Sequence, residues 1–305
     1  MDEPDGGVLS HAEFSYRSRS EYAAAIVAFI QAGLAAGEPA LVMVPGAEAR
    51  VIADRLDDAP GEVVFTDMAE LGRNPARIIP EVRAFLDKHP GHRVRSVAEP
   101  IWPGRSAAEI CEAARHEALL NLAFAQAPMT ILCPYDASGL AGSILAGARR
   151  THQEPTASGA TGQTWRDNLP PECDRPLDPP PAGAEVFPYD TDLASVRRLV
   201  ASHARRTRLT GDRTIDLVLA VNEIAANTIS HTTGSGVLQI WHTPEEIVCQ
   251  LHDQGEITDP LAGRVRHGPD DRGHGLWLVN QVCDLVELRT GPAGTTVRMH
   301  MRQAG

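Results

Sequence analysis

Residues 223–231 read Glu-Ile-Ala-Ala-Asn-Thr-Ile-Ser-His, and this stretch decides how the second half of the chain is interpreted. Glu223, Asn227 and His231 are spaced four residues apart, so they share one face of a predicted helix. Apolar residues fill the neighbouring face, as expected of a helix that packs against a core. The amide oxygen of Asn227 is a suitable ligand for Mg²⁺, and the carboxylate of Glu223 can accept a proton from a hydroxyl group.

Three more features follow this predicted helix in the chain. Asp253 ends an apolar strand, where its carboxylate can accept a hydrogen bond from the exocyclic amine of adenine, and Gly255 lets the backbone approach the base. Residues 272–278 read RGHGLWL, a glycine-rich loop that enters an apolar helix, and the N–H groups at such a helix start bind phosphate. Residues 294–297 read Gly-Thr-Thr-Val, a turn whose hydroxyl groups can reach a nucleotide. Each feature is common alone, but the ordered set indicates a nucleotide site.

In this order and with these spacings, the four features resemble the nucleotide-binding boxes of the GHKL ATPase superfamily, which has the Bergerat fold. The compact layout is similar to bacterial anti-sigma-factor serine kinases, and the resemblance covers roughly residues 185–302. It implies ATP and Mg²⁺ as cofactors, with Asn227 as the Mg²⁺ ligand, Glu223 as the general base and Asp253 as the adenine-binding carboxylate. The further nucleotide contacts that it implies are His231, Gly255, Arg272, Gly273, His274, Gly275, Leu276, Thr295 and Thr296.

The same resemblance implies partners and a regulatory role. The second domain would bind a sigma factor and phosphorylate a STAS-domain anti-anti-sigma protein on Ser or Thr, in bacterial transcription regulation and stress response. Related kinases often dimerise, so a homodimer is a further expectation. The sequence departs from the family pattern in two places. The loop D-Q-G-E-I that begins at Asp253 lacks the second glycine common there, and the phosphate lid between Gly255 and Arg272 is short.

Two other interpretations stay open. The first is a non-catalytic module that sequesters a sigma factor or another partner and has a degenerate ATP site. The second is a histidine kinase, in which His116 would be the phosphate acceptor. The sequence weighs against this second alternative, because residues 118–121 read Ala-Leu-Leu-Asn and lack the basic residue and proline usual after such a histidine.

Helices and apolar strands alternate in the first half of the chain, from about residue 11 to residue 152. The strands are predicted at residues 40–44, 63–65, 94–99 and 129–133. Such alternation predicts a parallel α/β sheet. In the second half, helices come first and most strands come later, which favours an α/β sandwich.

Several fragments of the first half resemble the MEDS sensory domain, a family proposed to share the RecA-like fold. These fragments are His11 with Phe14 and Tyr16, Gly33 with Gly37 and Glu38, Glu99-Pro-Ile-Trp102 with Gly104 and Arg105, Glu117 with Asn121, Leu132-Cys-Pro-Tyr135-Asp136, and His152. The expected organisation is a RecA-like parallel α/β domain over 8–153, a Pro/Gly-rich linker over 154–184 and a Bergerat-fold α/β sandwich over 185–303. Residues 45–50, after the first apolar strand, lack the Lys-Ser/Thr pair of a phosphate-binding loop, so no NTP hydrolysis is expected of the first domain.

A candidate sensory pocket lies at the predicted strand ends of this first domain, since ligands of parallel α/β sheets bind beyond the carboxyl ends of the strands. Its residues are His11, Glu99, Trp102, Tyr135 and Asp136. The alternative is that Trp102 and Tyr135 are core or interface aromatics and that His11 lies on the surface.

Composition weighs against several classes of protein. The chain has 305 residues, more than one typical domain, and its net charge of −12 argues against direct nucleic-acid binding, because phosphate contacts need clustered Lys and Arg. Its 5 cysteines form no C-x-x-C pair, which predicts unpaired thiols that bind no metal, as in a reducing cytoplasm. Residues 1–10 do not resemble a signal peptide, and the apolar stretch 23–36 is too short to span a bilayer. A cytoplasmic protein without membrane contact is therefore expected.

Overall fold

The computed structural model describes residues 9–56, 61–152, 165–232, 234–265 and 274–303. The chain divides into two compact units, Met1–Arg175 and Pro176–Gly305. Each unit has its own five-stranded sheet, parallel in the first and antiparallel in the second. The predicted α/β class is therefore confirmed for both halves of the chain.

The first sheet has a topological switch point at its centre. Its strands are β1 (Ser10–Tyr16), β2 (Ala40–Val44), β3 (Val63–Asp67), β4 (Val94–Ala98) and β5 (Met129–Asp136), in the order β1-β5-β4-β2-β3. Every residue of β2 is buried, so both faces of the sheet are covered there. After β2 the chain adds β3 on one side and then β4 on the other. The crevice that binds ligands in such sheets is therefore expected between the carboxyl ends of β2 and β4.

Six α-helices belong to this first unit among the described residues. They are α1 (Arg19–Ala35), α2 (Gly46–Ala53), α3 (Met68–Leu71), α4 (Ile78–Lys88), α5 (Ala107–Ala123) and α6 (Gly142–Thr151). Helix α5 begins with a capping box, in which Ser106 and Glu109 each satisfy the backbone N–H of the other. Helix α6 and strand β1 were not predicted from the sequence.

The segment around residues 165–173 packs against α5 and α6 in two short 3-10 helices, and its Leu169 is buried. This packing brings Cys173 to Cys111 of α5, and the two form a disulfide across 62 residues of sequence. The prediction of unpaired thiols is therefore wrong for this pair, because the fold and not a local spacing brings the two cysteines together. The cysteines outside this disulfide among the described residues, Cys133, Cys249 and Cys283, are all buried.

Three helices and an antiparallel sheet form the second unit among its described residues. The strands are β6 (Glu185–Tyr189), β7 (Gly236–His242), β8 (Glu246–Asp253), β9 (Leu285–Gly291) and β10 (Gly294–Arg302), in the order β6-β7-β8-β10-β9. The helices are α7 (Leu193–Ala204), α8 (Gly211–His231) and α9 (His274–Val282). None of the helices in the described parts of the chain has the length and apolar composition that crossing a bilayer requires.

Helix α8 is the central helix of this unit. It begins at Thr210, whose side chain accepts a hydrogen bond from the backbone N–H of Arg213. Its buried residues include Leu217, Val221 and Ala225, which recur every fourth position and pack in the core with the sheet, α7 and α9. This packing fixes the rotation of α8 and thereby the direction of its polar face.

Candidate nucleotide site

Glu223 and Asn227 lie where α8 meets the start of α9. Both side chains are half-buried and stand one turn apart on α8. Gly275, in the first turn of α9, lies directly opposite them. A Cβ atom at Gly275 would stand 3.0 Å from Glu223 Oε2 and 3.2 Å from Asn227 Nδ2. Glycine at this position therefore allows the backbone at the start of α9 to approach both polar side chains.

The start of α9 provides the chemistry of an anion site. The first N–H groups of a helix have no partner within the helix and carry the positive end of its dipole. Leu276 is buried in the core and holds this end of α9 in place beside α8. His274 is the first residue of α9, whereas Arg272 and Gly273 lie outside the described residues. The carboxylate and the amide oxygen are ligands that suit Mg²⁺, and the helix N–H groups beside them can donate hydrogen bonds to phosphates.

At the carboxyl end of β8, Asp253 is held by two neutral donors. The Thr228 hydroxyl donates to Asp253 Oδ2 at 2.6 Å, and the backbone N–H of Gly255 donates to Oδ1 at 2.8 Å. Thr228 in turn accepts a hydrogen bond from the Tyr189 hydroxyl at 2.9 Å. Burial raises the pKa of Tyr189 to about 12, so this hydroxyl keeps its proton. Because a carboxylate has about four acceptor positions, Asp253 can still accept a hydrogen bond from a ligand amine.

Two glycines allow the loop after β8 to pack closely. A Cβ atom at Gly255 would stand 2.6 Å from a methyl group of Thr232. At Gly294, where φ is +108°, a Cβ atom would overlap the carbonyl oxygen of Asp253. Thr295 is paired with Asp253 across β10 and β8, and its hydroxyl donates to the carbonyl of Gly255 at 2.8 Å. The β9–β10 hairpin thus supports the loop that carries the predicted adenine-binding residues.

The structure places two other predicted nucleotide contacts differently. His231 is exposed in the last turn of α8. Thr296 follows Thr295 in β10, and successive residues of a strand point to opposite faces of the sheet. Thr295 is on the buried face, whereas the Thr296 hydroxyl lies 3.0 Å from His252 Nδ1 on the other face. Thr296 is therefore not brought to the face of the sheet that packs against α8.

The predicted sensory pocket of the first unit falls into separate groups. Glu99 comes directly after β4, at the switch point, and accepts hydrogen bonds from Tyr16 at 2.9 Å and Tyr22 at 2.7 Å. Burial raises the pKa of Glu99 to about 7, although these two hydrogen bonds lower it. Asp136 instead caps the turn that follows β5, where it accepts hydrogen bonds from Ser138 and from the backbone N–H of Gly139.

The aromatic members of that predicted pocket have different neighbours. Trp102 stacks with Arg105, whose guanidinium carbon lies 4.4 Å from the ring centroid. His11 and Tyr135 both meet His152, with ring centroids 4.1 Å and 5.8 Å from that of His152. Neither Tyr135 nor His11 is exposed, so the alternative of a surface histidine is wrong, and Tyr135 is part of the core.

Both halves of the chain match known families. Residues 10–153 match the MEDS family, described as the methanogen/methylotroph DcmR sensory domain, and residues 188–301 match the histidine kinase-like ATPase domain. No curated protein is similar enough to the chain to match it. The two matches confirm the resemblances to the MEDS domain and to the GHKL ATPase superfamily that were drawn from the sequence. The second match implies ATP binding, which in that family commonly involves Mg²⁺.

Proposed function

We propose that this chain, in which a MEDS sensory domain precedes a histidine kinase-like ATPase domain, is a regulatory protein kinase of the anti-sigma type. The second domain would bind ATP with Mg²⁺, hold a sigma factor and phosphorylate a STAS-domain anti-anti-sigma protein on Ser or Thr. The first domain would control this activity. The observation that carries the proposal is the meeting of Glu223 and Asn227 with the start of α9 at Gly275.

Each residue of this site would have a distinct role. Asn227 would hold Mg²⁺ through its amide oxygen, and Asp253 would accept a hydrogen bond from the adenine amine. ATP with Mg²⁺ supplies a phosphoryl group for transfer when it is bound. Glu223 would take the proton of the partner's hydroxyl as that oxygen gains the phosphoryl group. The N–H groups at the start of α9 would stabilise the negative charge on the phosphate oxygens.

The nucleotide site is tested by calorimetric titration of Mg²⁺–ATP into the full chain. We expect micromolar affinity or better, about −8 kcal/mol or stronger, and binding at least roughly tenfold weaker in Asn227→Ala, since the variant lacks the Mg²⁺ ligand. Asn222→Ala is the matched control, because Asn222 lies on the same helix but accepts a hydrogen bond from Arg197 instead. A well-folded wild-type chain that binds no Mg²⁺–ATP would sink the kinase proposal.

Phosphate transfer is tested with labelled ATP and a STAS-domain protein. We expect acid-stable phosphate on Ser or Thr of the partner, an outcome that also excludes a histidine kinase. Glu223→Gln should abolish transfer while ATP binding stays within a factor of about 3 of wild type, because a base acts on the hydroxyl and not on nucleotide affinity. Transfer that persists in Glu223→Gln would remove this residue from the proposed role.

The second candidate function is a module that sequesters its partner without catalysis. The loop that begins at Asp253 favours it, because D-Q-G-E-I lacks the second glycine common in the family. In this case no phosphate reaches a partner, and Asn227→Ala leaves sigma-factor binding intact. A pull-down of the sigma factor by wild type and Asn227→Ala, run beside the transfer assay, distinguishes the two functions.

A further inference from the structure

Four side chains of the first unit form a cluster with the chemistry of metal ligands, here named the His11 cluster: His11 of β1, Glu117 of α5, Cys133 of β5 and His152 after α6. One donor atom from each lies within 4.8 Å of the others. Glu117 Oε2 is 3.1 Å from His11 Nε2 and 3.3 Å from His152 Nε2, and Cys133 Sγ is 3.2 Å from His11 Nε2. Four separate elements thus aim their polar atoms at one point.

This cluster is almost completely enclosed. The side chains of His11, Glu117 and His152 are 4%, 1% and 1% exposed. Burying an ionised carboxylate is very costly unless hydrogen-bond donors or a cation compensate it. Yet neither oxygen of Glu117, nor Nε2 of His152, makes a hydrogen bond to any of the described residues. The imidazoles stand at ion-pair distance from the carboxylate.

The surrounding residues orient both imidazoles so that Nε2 of each ring faces Glu117. His11 Nδ1 lies 2.9 Å from Asn121 Oδ1, and the Asn121 amide is oriented by donating to the carbonyl of Thr151 at 2.8 Å. His152 Nδ1 lies 2.7 Å from the carbonyl oxygen of Ala148. Because these neighbours are acceptors, each imidazole donates from Nδ1, and in the neutral ring the Nε2 lone pair then faces the carboxylate. Lone pairs that face one another in a buried site repel unless a proton or a metal ion lies between them.

We propose that the His11 cluster binds one divalent transition-metal ion of the Zn²⁺ class in tetrahedral coordination. With metal–nitrogen bonds of about 2.0–2.1 Å, the donors of a tetrahedral site stand about 3.3 Å apart, close to the three separations above. Two nitrogens, one sulfur and one carboxylate oxygen are ligands that Zn²⁺ accepts. The ion would displace the proton of the Cys133 thiol, so a thiolate and the Glu117 carboxylate together balance its two positive charges.

A cavity provides the access that a buried site needs. It has a volume of about 180 Å³, its wall is mainly apolar, and Glu117, Tyr135 and Thr151 line it beside the Cys111–Cys173 disulfide. The sequence-based expectation that no thiol binds metal depended on local spacing. His11 and Cys133 are 122 residues apart in the chain, so such a spacing rule cannot detect them.

The test uses the full chain, stripped of metal with a chelator and titrated with Co²⁺. This ion enters Zn²⁺ sites, its visible bands report tetrahedral coordination, and a near-ultraviolet charge-transfer band reports a thiolate ligand. We expect one equivalent to bind with both sets of bands, and Zn²⁺ to displace it. Cys133→Ser should lose the charge-transfer band, and His152→Gln should bind Co²⁺ at least roughly tenfold more weakly.

The matched controls are Cys249→Ser and His300→Gln, which change residues outside the cluster. Both variants should bind Co²⁺ like wild type. Asn121→Ala leaves all four ligands in place and should still weaken binding by roughly 10–100-fold, as loss of a partner that orients a ligand does. This variant keeps the test decisive if a ligand variant does not fold. No stoichiometric Co²⁺ binding by the folded wild type, or an unchanged spectrum in Cys133→Ser, would overturn the proposal. Neither result bears on the kinase proposal, which concerns the other unit.

Discussion

Among the described residues, each unit contains a cluster of histidine and carboxylate, enclosed in the first unit and part-buried in the second, and the two clusters reverse the ratio of these residue types. In the second unit a single imidazole, His300, lies between two carboxylates, with Nδ1 3.0 Å from Glu246 and Nε2 3.0 Å from Glu287. In the His11 cluster of the first unit a single carboxylate, Glu117, lies between two imidazoles. We infer from this difference that the first cluster suits a metal ion and the second suits a proton.

A proton completes the cluster around His300, because both ring nitrogens face acceptors and both can donate. Burial lowers the pKa of His300, but the hydrogen bonds to Glu246 and Glu287 outweigh it and raise the pKa to about 9. In the His11 cluster the Nδ1 atoms already donate elsewhere, so the remaining lone pairs converge on one another. Residue types alone therefore do not distinguish the two clusters; the number of ring nitrogens that already donate to other residues does.

The largest expected effect that tests this comparison is stabilisation by metal. Free Zn²⁺ at about a thousand times its Kd should raise the free energy of unfolding of the first unit by about 4 kcal/mol, since only the folded chain assembles the ligands. The effect should disappear in His152→Gln and persist in His300→Gln. Urea unfolding with Zn²⁺ or with a chelator measures it. Equal stabilisation of wild type and His152→Gln would show that the two clusters do not differ in this way.

The second effect is a loss of stability at alkaline pH through His300. Its pKa is raised from 6.5 to about 9 on folding. The stabilisation is therefore fully present below pH 6.5 and is lost as the pH rises through about 9, with a total of up to about 3 kcal/mol. Urea unfolding of the metal-free chain across this window should show the decline in wild type and a flatter profile in His300→Gln. Identical profiles in the two proteins would contradict the assignment of the proton to His300.

The smallest effect concerns Asp253, a carboxylate that belongs to neither cluster and is held by neutral donors. Thr228→Val removes the hydroxyl that donates to Asp253 and should cost about 1–2 kcal/mol of stability, because the half-buried carboxylate loses one of its donors and the buried Tyr189 hydroxyl loses its acceptor. It should also weaken Mg²⁺–ATP binding roughly tenfold, a loss of about 1.4 kcal/mol. Tyr189→Phe is the control, since it removes only the donor to Thr228. If calorimetry showed that Tyr189→Phe weakens ATP binding as much as Thr228→Val does, this role for Thr228 would be contradicted.

The sequence predicted the central strands of the sheets better than some of the edge strands. Strands β2 and β4 are apolar runs that lie inside the first sheet, and both were predicted within a residue of their bounds. The strands that were missed, β1 and β6, are edge strands of their sheets and are partly exposed. An edge strand with an exposed face has no continuous apolar run, so its sequence resembles that of a loop.

The sequence by itself determined the two-domain architecture and the polar face of α8. Glu223 and Asn227 lie one helical turn apart, and Asp253 ends a strand, so local periods place each of them. Only the tertiary structure decided that Thr228 supports Asp253, that Thr296 faces away from α8, and that Cys111 pairs with Cys173. The His11 cluster belongs to this second class, since its ligands come from four elements spread over residues 11–152. Periodicity acts over a few residues, whereas contacts between such distant positions arise only from the packing of the whole unit.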